Sequence, residues 1–195
     1  MLLEEQLAHL DELERRIDRL GEEIARRMAP FDEALRVIDE IPGVGRRTAE
    51  DVLAEIGVDM SRFPSARHLS SWAKVCPGND RTGDRRKNER TGPGNKWLRA
   101  TLVEAAKAAR NAKDTYLSAQ YHHLAPRRGA NKATLAVAHS ILTIIYHLLR
   151  DGGHYRELGV TYLDERARHS IQRNLVKRLE KLDFDVTIND RRAAA

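Results

Sequence analysis

The chain has 195 residues, with 34 Lys and Arg against 29 Asp and Glu, a net charge of +5 and a pI near 9.5. That length suits one ordinary domain with an appendage, and that charge suits nucleic acid or another polyanion as partner. The single cysteine, Cys76, excludes an internal disulfide or a multi-cysteine zinc site and fits a reducing cytoplasm, while the acidic start MLLEEQLAHL lacks the Lys or Arg that precedes the apolar run of a signal peptide.

Along the chain, Leu3, Leu10, Ile17 and Ile24 recur at heptad spacing, and Leu13 and Leu20 fill the intermediate positions. Residues 1–30 therefore read as a coiled-coil helix, or one arm of an antiparallel helical hairpin, through which the chain is expected to form a homo-oligomer. An amphipathic helix folded onto its own domain is the alternative. Pro30 closes the segment, and residues 31–188 read as a multi-helix domain, with 189–195 a disordered tail. FDEALRVIDEI (31–41) has helical spacing. Helical pattern resumes at Thr48, with Ala49, Val52, Leu53 and Ile56 on one face and Gly57 as C-cap. After Pro64 a short helix follows, with Leu69, Trp72 and Ala73 inward.

Residues 76–99, CPGNDRTGDRRKNERTGPGNKWLR, hold seven Lys or Arg against three acids, and Pro93 is the sole apolar side chain between Pro77 and Trp97. Such a segment cannot bury itself, so it is either disordered or held by something anionic. Beyond Asn95 a helix places Leu98, Leu102, Ala105, Ala106 and Ala109 on one face. Further helices are expected at 115–124, 132–150 and 164–182, the last amphipathic through Ile171, Leu175, Val176 and Leu179. The apolar stretch 133–149 contains two His, one Ser and two Thr and reads as a core helix, not a membrane span. DVTIND (185–190) reads as a short strand. No alternating periodicity runs for any length, so the fold class is all-α.

IPGVGRRTAEDVLAEIG (41–57) resembles the helix-hairpin-helix element of DNA-repair and recombination proteins. Gly43 and Gly45 permit a close backbone approach to phosphate, and amides at the start of the next helix favour an anion. Arg46 and Arg47 add charge, and Thr48 is placed to cap the helix or bond a phosphate oxygen. The alternative is a tight turn between packed helices, with solvated arginines.

Taken together, PGVG…TA…LxxEIG, LSSWA, CPGN and GPGNKWLRATLVEAA, with AHSILTIIYHLLRDGGHYRELG beyond, resemble over residues 35–185 the C-terminal domain of bacterial transposases of the insertion sequence 110/116/902 family. The resemblance implies DNA recombination through a covalent protein–DNA intermediate, guided by a structured RNA. The family carries Asn-Glu-Ser-Ala-Gly-Lys after Cys-Pro-Gly-Asn, and its serine is the nucleophile the resemblance implies. Here that run is Asp80-Arg81-Thr82-Gly83-Asp84-Arg85, so Thr82 stands in the serine's place and is the candidate catalytic residue. A β-methyl narrows its rotamers and crowds an in-line attack, and the alternative is an ordinary loop hydroxyl in a degenerate copy.

Arg81, Arg85, Arg86, Lys87 and Arg90 are candidate nucleic-acid contacts, joined by Asn95, Lys96 and Arg99 at the next helix. Asn95 is also the expected N-cap. The family couples this domain to an RNase-H-like domain whose acids hold divalent metal. This chain begins at the coiled coil, so no cofactor is expected within it and autonomous chemistry is not. The eight histidines show no metal-ligand spacing. DNA, with a guide RNA, is the expected partner, and a membrane is not.

Overall fold

The structure, a computed structural model, describes residues 2–76, 81–82, 85–86 and 94–187. Among these the chain is helical, apart from one short antiparallel pair. The helices are α1 (Leu2–Met28), α2 (Asp32–Asp39), α3 (Arg46–Ile56), α4 (Ala66–Trp72), α5 (Lys96–Ala109), α6 (Tyr116–Arg128), α7 (Ala130–Asp151) and α8 (Tyr162–Glu180). The strands β1 (Arg81–Thr82) and β2 (Arg85–Arg86) pair within the basic segment, which the sequence pattern did not announce.

Helix α7 organises the core. It packs against α4, α5 and α6, and its buried residues include Val137, Ile141, Leu142, Ile145 and Tyr146. By length and composition it is apolar enough to cross a membrane. Its eight buried residues instead supply the centre of the helical body, where the Tyr146 hydroxyl donates to the Phe63 carbonyl at 2.9 Å. On α5 the buried residues are Leu98, Leu102, Ala105, Ala106 and Ala109, the stripe that helical spacing predicts.

Several boundaries differ from expectation. Helix α3 begins at Arg46, two residues early, because Gly45 in extended conformation serves as N-cap. Gly57, at φ +71°, ends it as expected, its amide donating to the Leu53 carbonyl. Helix α6 continues past Leu124 to Arg128 and carries Pro126 in its last turns.

Trp72 is 44% exposed, not inward. At 3.6 residues per turn, buried Leu69, Ser70 and Ala73 share an arc, and Trp72 falls roughly 110° from its centre. It rests on the Phe63 ring instead, with centroids 5.7 Å apart. The expected strand at 185–190 does not form over its described part, Asp185–Thr187, which is irregular. The rest of that stretch and the 189–195 tail lie outside the described residues.

Helix α1 has no buried residue. Leu3, Leu10, Leu13, Ile17 and Leu20 all stand exposed along its heptad stripe, and the helix joins the body through a 3-10 turn at Ala29–Phe31.

Candidate nucleic-acid interface

Between α2 and α3 the chain reverses through Ile41-Pro42-Gly43-Val44, closed by the Val44 amide on the Ile41 carbonyl at 2.9 Å. Pro in second place and Gly at φ +84° in third give the residue order of a type II turn. Ile41 and Val44 are buried and anchor it. Gly43 has a second duty. A Cβ there would lie 2.4 Å from the Ala109 nitrogen and 2.6 Å from the Ala105 oxygen, so the turn rests directly on the backbone of α5. Gly45 differs, with open space around it.

Because Gly45 is the N-cap and has no side chain, the amides of Arg46, Arg47 and Thr48 meet no acceptor among the described residues; the first helical bond runs from the Ala49 amide to the Gly45 carbonyl. Thr48 does not cap the helix, since it sits inside the first turn. These amides, with the positive end of the helix dipole, form an anion-favouring end. Arg46 is committed elsewhere. It bridges Asp32 at 2.8 Å and Glu50 at 3.0 Å, and its guanidinium holds the Asp32 carboxyl below the usual range. Arg47 is exposed and meets no ion-pair partner among the described residues, so of the two arginines it carries the uncompensated charge.

Helices α3 and α5 run antiparallel. The Asn95 side-chain amide donates to Glu55 at 2.5 Å, Thr101 reaches Asp51 at 3.5 Å, and Gly43 meets Ala105 and Ala109. Asn95 also accepts from the amides of Trp97 and Leu98, so it is the N-cap of α5 and is tied to α3. Its polar groups are thereby engaged in holding the helix start.

The basic segment leaves and re-enters the body at one place. A Cβ on Gly94, at φ +44°, would fall 2.4 Å from the Cγ of Lys74, just beyond α4, so the two stems touch. On the leaving side, the Cys76 thiol lies 3.6 Å from the His139 Nδ1. Burial pushes that thiol up and that imidazole down, so at neutral pH the pair is uncharged and is no thiolate nucleophile.

Of the candidate residues in the segment, Arg81 and Thr82 lie in β1 and Arg85 and Arg86 in β2, with Arg81 opposite Arg86 and Thr82 opposite Arg85. Lys87 and Arg90 lie outside the described residues. Beyond the cap, Lys96 and Arg99 occupy the first turn of α5.

The candidates on the helical body thus fall into two groups, Gly43–Thr48 at one end of the α3/α5 pair and Asn95, Lys96 and Arg99 at the other. From Asn95 to the Ala105–Ala109 stretch is about 18 Å at the 1.5 Å helical rise. That matches about five steps of duplex at 3.4 Å per strand phosphate.

A cleft of about 550 Å³ lies between α7 and the segment leading into α8, and none of the candidate residues lines it. Its three histidines are engaged: His139 with the Cys76 thiol at 3.6 Å, His147 with Asp151 at 3.0 Å, and His154 with Glu40 at 2.7 Å. Among the described residues no three His, Cys, Asp or Glu side chains are grouped to hold a metal ion.

Residues 35–123 match the model of the family described as "Transposase IS116/IS110/IS902 family". The chain is 33% identical over 122 residues to the "Insertion element IS110 uncharacterized 43.6 kDa protein" of Streptomyces coelicolor, covering 61% of this chain and 29% of that protein. It is 32% identical over 146 residues to the "Transposase for insertion sequence element IS1111A" of Coxiella burnetii, covering 69% of this chain and 38% of that one. The matches thus span about a third of the length of these relatives.

Proposed function

We propose that the chain is part of an insertion-sequence transposase of the IS116/IS110/IS902 family, binding DNA and serving its transposition through a hydroxyl-bearing basic loop. One observation carries this reading. The family match spans residues 35–123, which include the Ile41–Val44 turn, the anion-favouring start of α3, the basic segment and the start of α5.

In this reading the α2–turn–α3 unit acts as a helix-hairpin-helix, with the free amides of α3 and Arg47 on the phosphate backbone. Such contacts give affinity and register without sequence choice. The basic segment brings a second stretch of backbone beside Thr82. The Thr82 hydroxyl attacks phosphorus and loses its proton to solvent, while a deoxyribose oxygen leaves with the electron pair of the broken P–O bond and takes up a proton from solvent as a free hydroxyl. A threonine–DNA phosphodiester results, which a second DNA hydroxyl reverses by the same exchange. Arginines of the segment neutralise charge that builds on the phosphate.

A structured guide RNA shares the basic surface, and the exposed stripe of α1 pairs copies of the chain as a coiled coil. Any divalent metal belongs to an RNase-H-like part of the whole enzyme and not to the residues described above. The setting is the cytoplasm, where DNA is the substrate.

A second reading has its own support. Threonine in the serine's place favours a nucleic-acid-binding, self-associating helical protein without the chemistry.

One experiment separates them. The chain alone is expected to bind DNA and form no covalent adduct. Combined with the RNase-H-like domain of a close relative and its RNA, Thr82→Ser should give more DNA-linked protein on a denaturing gel than the parent. Adduct from the isolated chain, absent in Thr82→Ala, overturns the need for the other domain. No adduct from the reconstituted Thr82→Ser form, where the relative forms one, overturns the role of position 82.

A further inference from the structure

The two tryptophans of the chain stand on the two stems of the basic segment, Trp72 at the end of α4 and Trp97 at the start of α5. Trp72 is partly held by the Phe63 ring. Trp97 is 68% exposed and lies outside the buried stripe of its helix, which begins at Leu98. An exposed apolar side chain alone means little. This one stands on a fixed backbone: its own amide donates to the Asn95 cap, and that cap is tied to Glu55 of α3. The Lys96 ammonium sits over the indole, 5.0 Å from its centroid, and the residue still stands open to solvent.

A flat, rigid aromatic surface beside a cation is the combination that binds a nucleobase, the ring taking the base face and the cation the adjacent phosphate. The neighbouring segment, residues 76–99, carries seven Lys or Arg against three acids, so the partner that covers Trp97 is an anion. Duplex DNA hides its base faces within the stack. An unpaired or displaced nucleotide does not.

We propose that Trp97 is a stacking platform for an unpaired nucleobase, seated where a strand enters the basic segment. This rests on the reading that the chain binds nucleic acid, and adds that part of its target is single-stranded or opened there.

In the full chain carrying Trp72→Phe, Trp97 is the sole indole, and its fluorescence reports stacking directly. A thymidine homopolymer should quench it saturably. An abasic strand of equal length and charge should bind weakly and leave emission unchanged, and blunt duplex should bind with little quenching. By anisotropy with a labelled homopolymer, Trp97→Ala should weaken binding roughly 5- to 150-fold, the range for removing one base–aromatic stack. Trp97→Phe should keep most of the affinity, and the salt dependence should hold its slope in both variants because no charge changes.

Equal affinity of the parent and Trp97→Ala overturns the platform while leaving the nucleic-acid reading intact, as does equal quenching by duplex or abasic strand. Loss of self-association in Trp97→Ala, with strand affinity unchanged, makes the indole a contact between copies and overturns it too. A parent that binds none of the three probes overturns both.

Discussion

Replacing Gly43 with Ala separates packing from phosphate contact at the turn. The new methyl would sit 2.4–2.7 Å from the nitrogen and Cα of Ala109 and the oxygen of Ala105. All three are backbone atoms on the buried face of α5, which packs against α7 and α3, so none moves cheaply. Holding an L-residue at φ +84° costs about 1–2 kcal/mol, and forcing the overlap adds about 1–3 kcal/mol. The sum, roughly 2–5 kcal/mol, lowers the melting temperature of a chain this size by on the order of 10 °C. The control is Gly45→Ala, at φ −103° with open space around it, which should cost under about 1 kcal/mol. Circular dichroism at 222 nm through thermal and urea unfolding measures both. If Gly43→Ala melts with the parent, the turn does not rest on α5 and the packing described for the interface is wrong. DNA affinity at this turn is therefore read through Arg47 and Gly45, because a change at Gly43 disturbs the fold first.

Arg47→Ala should weaken duplex binding about equally across sequences and reduce the salt slope by about 0.9, whereas Arg46→Ala, with Asp32 and Glu50 already neutralising that charge, should change the slope less; both are read by anisotropy. Tyr146→Phe should cost about 1 kcal/mol or somewhat more in urea unfolding, since it leaves the Phe63 carbonyl without its donor at 2.9 Å. Glu40 holds the His154 imidazolium above its ordinary pKa, so this contact stabilises fully below about pH 6.5 and fades as pH rises through the folded value. The parent's lead in melting temperature over His154→Gln should accordingly be greatest near pH 6 and shrink by pH 8; a lead independent of pH rejects the pairing. Leu13→Lys with Ile17→Lys should lower the mass seen by light scattering, and a monomeric parent rules out pairing through α1.

Helical periodicity makes most of the fold legible in the sequence. The α5 stripe from Leu98 to Ala109 is readable because every fourth or third residue is apolar and no Pro or Gly interrupts it. The exposure of Trp72 is not, because spacing alone puts it beside Leu69 and Ala73; the arc shared with buried Ser70 moves it to the edge. The turn at Gly43 is legible as a turn, yet its contact with α5 joins residues more than sixty apart and leaves no local signature. Likewise, the charge of Arg46 is visible while its partner Asp32 on α2 is not, because their pairing depends on how two helices pack. The role of Asn95 as cap follows from its place after Gly94, but the bond to Glu55 that fixes the stem does not. Trp97 does leave a trace in the sequence. It is the one large apolar side chain at the start of α5 that the buried stripe does not claim.

The most direct test of the central claim is the salt dependence of duplex DNA binding, parent against a variant with Arg81, Arg85, Arg86, Lys87 and Arg90 all changed to Gln. If the basic segment lies on the phosphate backbone, log affinity against log salt should flatten by about 4 to 5 units in the variant, near 0.9 for each phosphate that is no longer neutralised, while helical circular dichroism stays at the parent's value. Equal slopes in parent and folded variant, or no duplex binding by the parent at low salt, would contradict it.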